Sequence, residues 1–261
     1  MALVDSQRVA AIIREVAIEA VLPRFRNLKD GDIKTKSGPT DLVTIADIES
    51  EHLLTAALTK LLPGSVVVGE EAAAADASVL DRLDGDAPVW ILDPVDGTAM
   101  FAKGDPGFAM IVALVHKGKT IAGWIHDPVP NRTAYTELGQ GAWLDGQPMK
   151  VAADRPISDM VGGVWWSPAV KAIEPKVRGT RNPYSAGLGY LALASGELDF
   201  AVFRRLNPWD HAAGVLMHLE AGGTAKLVDG EPYRPVMITK PLVVAPGPDS
   251  WKALAALVPT A

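Results

Sequence analysis

Apolar residues recur at helical spacing from Asp5 to about Phe25 (Val9, Ile12, Ile13, Val16, Ala17, Ala20, Val21). They predict an amphipathic helix opened by Asp5 or Ser6 and disturbed at Pro23. From Ile33 to Thr44 the pattern becomes a β-hairpin with Ser37-Gly38-Pro39-Thr40 at its tip. Lys34 and Lys36 share a face of its first strand; such a pair reads first as a solvated face, with Lys36 reaching an active site as the lesser alternative. A second helix runs through Asp47 to Leu62, with Ile48, Leu53, Leu54, Ala57, Leu58 and Leu61 inward. The short strand Val66-Val67-Val68-Gly69 then ends in Glu70-Glu71, and Ala72 to Pro88 reads as helix plus loop. Val89 to Leu92 is a buried strand that breaks at Pro94. Phe108–Val115, Thr120–His126 and Tyr135–Glu137 follow as meandering strands, with turns at His116–Lys119 and Gly139–Gly146. After residue 150 come a strand Ser158–Trp166 with Trp165 and Trp166 in a core or interface, a helix Ser185–Ser195 and a strand Glu197–Phe203. Asn207-Pro208 stops that strand, Asp210 opens another helix, and Val243–Ala245 and Ser250–Leu257 close the chain as strand and helix. Meandering strands flanked by helices point to mixed layers and away from a doubly wound parallel sheet.

At 261 residues and 48% hydrophobic content, the chain suits one large domain or two closely packed lobes. A net charge of −6 without a basic run opposes nucleic acid as a partner. The absence of cysteine excludes disulfides and thiolate chemistry. The N-terminus lacks a basic region followed by an apolar one, and the longest apolar runs are too short for a membrane span, so a cytoplasmic protein is expected.

The chemistry concentrates in Trp90-Ile91-Leu92-Asp93-Pro94-Val95-Asp96-Gly97-Thr98. Alone, Asp-Pro-x-Asp-Gly is also a turn signature. Pro94 stiffens the corner and sets Asp93 and Asp96 in a fixed relation. Gly97 lets the backbone approach a ligand, and Thr98 is placed to cap a following helix. Hard oxygen ligands beside exposed N–H groups suit a divalent cation and a phosphate held together. Glu70, at the end of a second strand, would reach the same sheet edge. Asp47 and Asp210 fall in first turns of helices, where a carboxylate suits the dipole with or without a further role. His126 reads as a strand-end histidine and His211 as packing or capping.

Gly69-Glu70-Glu71, Asp93-Pro94-Val95-Asp96-Gly97-Thr98 and Trp209-Asp210-His211-Ala212-Ala213-Gly214 together resemble the inositol monophosphatase family of lithium-sensitive, magnesium-dependent phosphatases. Asp41-Leu42-Val43-Thr44, Asp47 and Glu220-Ala221-Gly222-Gly223 extend the match almost end to end. The resemblance implies an α+β fold, the layered αβαβα sugar-phosphatase fold with two intimately packed lobes, here 1–146 and 147–261. It implies Glu70, Asp93 and the Val95 carbonyl on one Mg²⁺, and Asp93, Asp96 and Asp210 on a second, with a third, looser ion near Glu70. Two such cations clamp a phosphoryl group and activate water. Glu70, Thr98 and Asp47 would position and deprotonate that water, while Gly97, Thr98, Ser185 and Asp210 would contact substrate. A homodimer acting on a small phosphomonoester is expected. Candidate substrates are inositol monophosphate or a related sugar phosphate, and alternatively histidinol phosphate, fructose 1,6-bisphosphate or 3′-phosphoadenosine 5′-phosphate. A protein-binding role with residual phosphatase activity is the alternative of another class; the retained acids argue against it.

Haloacid-dehalogenase-like phosphatases place two aspartates two residues apart. The three-residue spacing here, with a proline inside, argues against a covalent aspartyl intermediate. Departures from the family lie around the substrate: Met100 replaces the usual Asn, Phe203 the Glu that contacts a substrate hydroxyl, and Tyr184-Ser185-Ala186-Gly187 the Gly-Ser/Thr-Ala-Ala segment. The stretch Ser167 to Arg181 is also short. Arg204 and Arg205 beside Phe203 suit a second anionic group, or are solvated or in structural ion pairs.

Overall fold

The computed structural model describes residues 3–29, 31–35, 42–164 and 167–259. The expected hairpin tip, Lys36, Asp41, Trp165 and Trp166 lie outside them.

In chain order the N-terminal elements are α1 (Ser6–Val16), β1 (Ile33–Thr35), β2 (Leu42–Thr44), α2 (Ile45–Leu61), β3 (Val66–Gly69) and α3 (Glu70–Ala75). Then come β4 (Val89–Asp96), α4 (Thr98–Ala102), β5 (Ala109–His116), β6 (Lys119–Asp127), β7 (Arg132–Glu137), β8 (Ala142–Leu144) and β9 (Gln147–Pro148). The remainder comprises β10 (Val161–Val164), α5 (Ser167–Ile173), β11 (Gly179–Arg181), α6 (Ala186–Ala194), β12 (Phe200–Phe203), α7 (Pro208–Glu220), β13 (Thr224–Leu227), β14 (Leu242–Ala245) and α8 (Pro248–Ala255). Strands β3 to β9 form one sheet in sequence order, with β3 and β4 parallel and the other pairs antiparallel. The second sheet has the order β11-β10-β12-β14-β13.

The side-chain alternation of these strands builds the layers. Trp90, Leu92, Met110, Val112, Leu114 and Trp124 face one way and pack with Val9, Ile13, Leu54 and Leu58 of α1 and α2. Val89, Ile91, Ile111, Ala113 and Val115 face the other way, onto α6 and α7. The same core continues into Ala201, Phe203, Ala225, Leu227 and Val244 on the inner face of the second sheet. Phe200, Val202, Val243 and Ala245 on its outer face meet Ala169, Ile173 and Leu254 of α5 and α8. The result is an α+β stack of five layers, helix–sheet–helix–sheet–helix. Strands buried on both faces read as continuous apolar runs, which is why β4 and β5 stood out in the sequence. A side chain at Gly214 would collide with the Tyr190 ring, so this glycine sets the close approach of α7 to α6.

Several boundaries differ from the sequence reading. The first α-helix ends at Val16 and continues as a π-turn, Ala17–Val21, with Leu22 N donating to Ala17 O at 2.8 Å. Pro23 has no N–H with which to extend it. Glu70 and Glu71 open α3 and do not end a strand. β4 does not break at Pro94; it runs on to Asp96 through a bulge between Asp93 and Asp96. β3 pairs with β4 only as far as Leu92, so Pro94 lies where that edge has no partner, and its missing N–H costs no ladder bond. Ser158 lies in a 3₁₀ turn, and the strand that follows starts at Val161.

Candidate active site

Parallel pairing of β3 with β4, in the register Gly69 to Leu92, brings the two strands to the same sheet edge, with Glu70 emerging beside Asp93. The bulge then carries Asp96 round the corner, with Val95 N donating to Asp93 Oδ1 at 3.1 Å. The third acid arrives on α7. Pro208 supplies its preset φ at the first helical position, where a missing N–H is harmless, and Asp210 follows two residues on. Asp93, Asp96 and Asp210 each offer an oxygen within 4.8 Å of the others.

An octahedral Mg²⁺ shell is about 4.2 Å across between opposite oxygens. Neighbouring oxygens in that shell lie about 3 Å apart, so the three acids, with oxygens within 4.8 Å of one another, must draw closer to share one ion. Their electrostatics point the same way. Asp93 is held well above the usual carboxylate range by burial, then by the charges of Glu70, Asp96, Asp210 and Asp47, all negative. Asp210 is likewise raised by burial and by Asp96 and Glu70, against hydrogen bonds with Asp93 and Asn207. Asp96 rises only to about 6, because burial is opposed by hydrogen bonds from Gly187, Ala186 and Ser185. Packing acids this closely is unfavourable unless protons or cations neutralise them, and hard oxygen donors of this kind suit Mg²⁺ or a similar ion. The donor set fits the metal.

Beside the cluster lies a second unit. Thr44 caps α2 and forms a capping box with Asp47, donating to Asp47 Oδ2 from its N (2.8 Å) and its hydroxyl (2.5 Å). The Thr98 hydroxyl lies 3.1 Å from Asp47 Oδ1 and 3.0 Å from the Val95 carbonyl oxygen. Burial lifts Asp47 to about 6, with these hydrogen bonds pulling it down and the charge of Glu70 adding to the rise. Thr98 is not the helix cap expected of it. Gly97, at φ 94°, takes that position, and a Cβ there would lie 2.7 Å from the Gly107 carbonyl oxygen. That frees the Thr98 side chain to turn towards Asp47.

Ser185 caps α6, accepting from Leu188 N at 3.2 Å. The first N–H groups of α6 are taken by Asp96, whose Oδ1 accepts from Ala186 N (3.2 Å) and Oδ2 from Gly187 N (2.5 Å). A cleft of about 420 Å³ opens here, lined by Asp96, Asp210, Tyr184, Phe203, Arg204 and Arg205 among others. His126 is a buried strand residue within hydrogen-bond reach of Arg132 O and Thr133 Oγ1, as its sequence position suggested. His211 packs against Tyr190 and Phe203.

One buried carboxylate next to the site escaped the sequence reading. Glu51 of α2 is buried, and its carboxylate accepts from Glu71 N and Ala72 N, both at 2.9 Å. It thereby caps the helix that begins with Glu70. The available signal was spacing: Asp47, Glu51, Leu54 and Leu58 lie on one stripe of α2, and a carboxylate inside a buried stripe calls for partners.

Clustered strand-end and helix-start acids around a cleft define a metal-dependent hydrolase of the layered α+β class. More closely, the chain belongs to the inositol monophosphatase family, whose pattern its residues 5–261 match. It is 32% identical over 197 residues to the fructose-1,6-bisphosphatase/inositol-1-monophosphatase of Thermotoga maritima, covering 74% of this chain and 73% of that one. With the inositol-1-monophosphatase of Caulobacter vibrioides it shares 35% identity over 208 residues, 75% and 79% of the two chains. Among solved structures, the Thermotoga maritima IMPase superposes with a TM-score of 0.83 at 27% identity, over 96% of both chains. The family comprises phosphatases, and among the described residues no helix is long and apolar enough to cross a membrane.

Proposed function

We propose that the chain hydrolyses a small phosphomonoester with Mg²⁺, by attack of water on phosphorus. The convergence of Asp93, Asp96 and Asp210 carries this reading. Asp93, Asp96 and Asp210, joined by Glu70 and the Val95 carbonyl, would hold two to three ions. Bound cations supply positive charge at the phosphoryl oxygens and acidify water there. The chain's own groups do the rest. With its proton on the Asp47 side, Thr98 Oγ1 offers lone pairs to water in the cleft, and Asp47, lifted to about 6, takes a proton through it. Glu70 orients the same water. The N–H groups of Gly97 and Thr98, where the chain turns into α4, suit phosphate oxygens. Ser185 and Asp210 border the leaving-group side. Inositol monophosphate or a related sugar phosphate is the first substrate class on this reading. Lithium sensitivity, a homodimer and a cytoplasmic location accompany it on family grounds.

The test is phosphate release from inositol 1-phosphate and a sugar-phosphate panel with and without Mg²⁺, using wild type and Asp93→Asn. Release that chelation abolishes and Asp93→Asn lowers by 10³ or more is expected. Full activity of Asp93→Asn would sink the assignment.

A further inference from the structure

Two arginines line the cleft next to the acids, and they bear on which phosphomonoesters fit. Apart from Asp96 and Asp210, the charged side chains lining it are Arg204 and Arg205.

The backbone that carries the arginines is fixed from several sides. Phe203 stacks on Tyr190 with ring centroids 5.1 Å apart and meets His211 edge-on at 4.8 Å. A carbonyl only accepts, so His211 Nε2 donates to Arg205 O at 3.1 Å; Nδ1 then accepts from the Tyr190 hydroxyl at 2.9 Å. One residue on, Leu206 and Ile238 exchange backbone hydrogen bonds of 2.9 and 3.1 Å. Both arginine side chains remain exposed at the cleft, and among the described residues Arg205 forms no ion pair. An exposed guanidinium on a rigid backbone, in a protein of net charge −6, is preorganised for an anion.

We propose that Arg205, with Arg204 beside it, forms a second anion subsite, so that preferred substrates carry a further phosphate or carboxylate on the side away from the scissile ester. The proposal rests on the phosphatase reading above and specifies its substrate class. The Arg fork engages the oxyanion through charge-assisted hydrogen bonds, while the carboxylate cluster addresses the ester to be cleaved.

Matched pairs isolate the second anion. Mg²⁺-dependent phosphate release is measured for fructose 1,6-bisphosphate against fructose 1-phosphate, and for 3′-phosphoadenosine 5′-phosphate against adenosine 3′-monophosphate. The readout is the ratio of kcat/KM for the doubly charged member to that for its partner. Wild type should favour the doubly charged member about tenfold or more in at least one pair, equivalent to about 1.4 kcal/mol. The responding pair distinguishes a sugar from a nucleotide source. Arg205→Gln should lower that ratio about tenfold, chiefly through KM, and Arg205→Glu should lower it further. Far-UV circular dichroism and thermal melts accompany both variants. A ratio near one in both pairs for wild type, or a ratio that neither Arg205 variant changes, would overturn the subsite. No release from the four compounds while inositol 1-phosphate is hydrolysed would overturn the subsite alone, and no release from any of the five with Mg²⁺ would overturn the phosphatase reading and the subsite with it.

Discussion

Glu51 offers a sharp test of how the site is held together, because it acts through backbone N–H groups and does not line the cleft. α3 is six residues long, and its cap position, Gly69, supplies no side chain to satisfy the first N–H groups. A helix that short does not hold itself in place. Its anchor is the Glu51 carboxylate, which accepts from Glu71 N and Ala72 N at 2.9 Å each. Hydrogen bonds to a charged acceptor contribute about 1.5–3 kcal/mol apiece. Set against the cost of keeping the carboxylate buried, Glu51→Ala should lose about 2–3 kcal/mol net. Glu51→Gln should lose about half as much, since its single amide oxygen can serve one of the two N–H groups well. If half of the alanine loss is felt locally, the equilibrium constant for α3 with Glu70 in place falls about tenfold. The Mg²⁺ concentration for half-maximal phosphate release should therefore rise by up to about tenfold in Glu51→Ala, with kcat at saturating Mg²⁺ much less affected. Hydrogen exchange at the Glu71 and Ala72 amides should accelerate in parallel. If the Mg²⁺ requirement and both amides match wild type, α3 does not depend on Glu51 and the reasoning fails.

Asp47→Asn should lower kcat about 10²-fold or more, the usual contribution of a positioned base, with little change in KM; steady-state kinetics at saturating Mg²⁺ decide it, and retained kcat would remove Asp47 from the proton path. Burial raises both Asp47 and Asp96 to about 6, so the folded state favours their protonated forms. The associated stability is fully present below about pH 4, the unfolded range, and is lost as pH rises through about 6. For Asp47 alone, roughly two pH units correspond to about 3 kcal/mol. Without divalent cation the melting temperature should therefore fall between pH 5 and 7.5. The rise in melting temperature produced by Mg²⁺ should be larger at pH 7.5 than at pH 5; an equal rise at both would contradict the acid cluster as the ion's seat.

What could be read from the chain follows from which forces act locally. Strands buried on both faces announce themselves as apolar runs, and the Asp93 to Thr98 corner combines proline, glycine and two acids within six residues. The inward face of α2 was harder. Ile48 and Leu53 were expected inside and are only half-buried, while Asp47, Ser50 and Glu51 occupy the buried stripe. Polar residues on a helix are normally solvated, so a hydropathy pattern turns such a helix the wrong way unless the partners that satisfy them are known. Those partners come from elsewhere: the Glu71 and Ala72 amides for Glu51, and Thr98 for Asp47. The capping expected of Thr98 failed for a related reason, because Gly97 adopts a left-handed conformation and takes the cap position itself.

The clasp between Asp96 and α6 links fold to site in the opposite direction. Asp96 is a cluster member, yet each of its oxygens also accepts from the α6 N-terminus, at Ala186 and Gly187. A carboxylate has about four acceptor sites, so it can serve a helix and a cation together. The positive end of α6 and the two N–H bonds favour its charged form, which explains why Asp96 rises only to about 6 while Asp93 and Asp210 go well beyond. Asp96 thus stays the readiest of the three to be ionised. The same bonds tie the edge of the first sheet to the helix bordering the cleft, so a movement of α6 must either carry Asp96 with it or break the clasp.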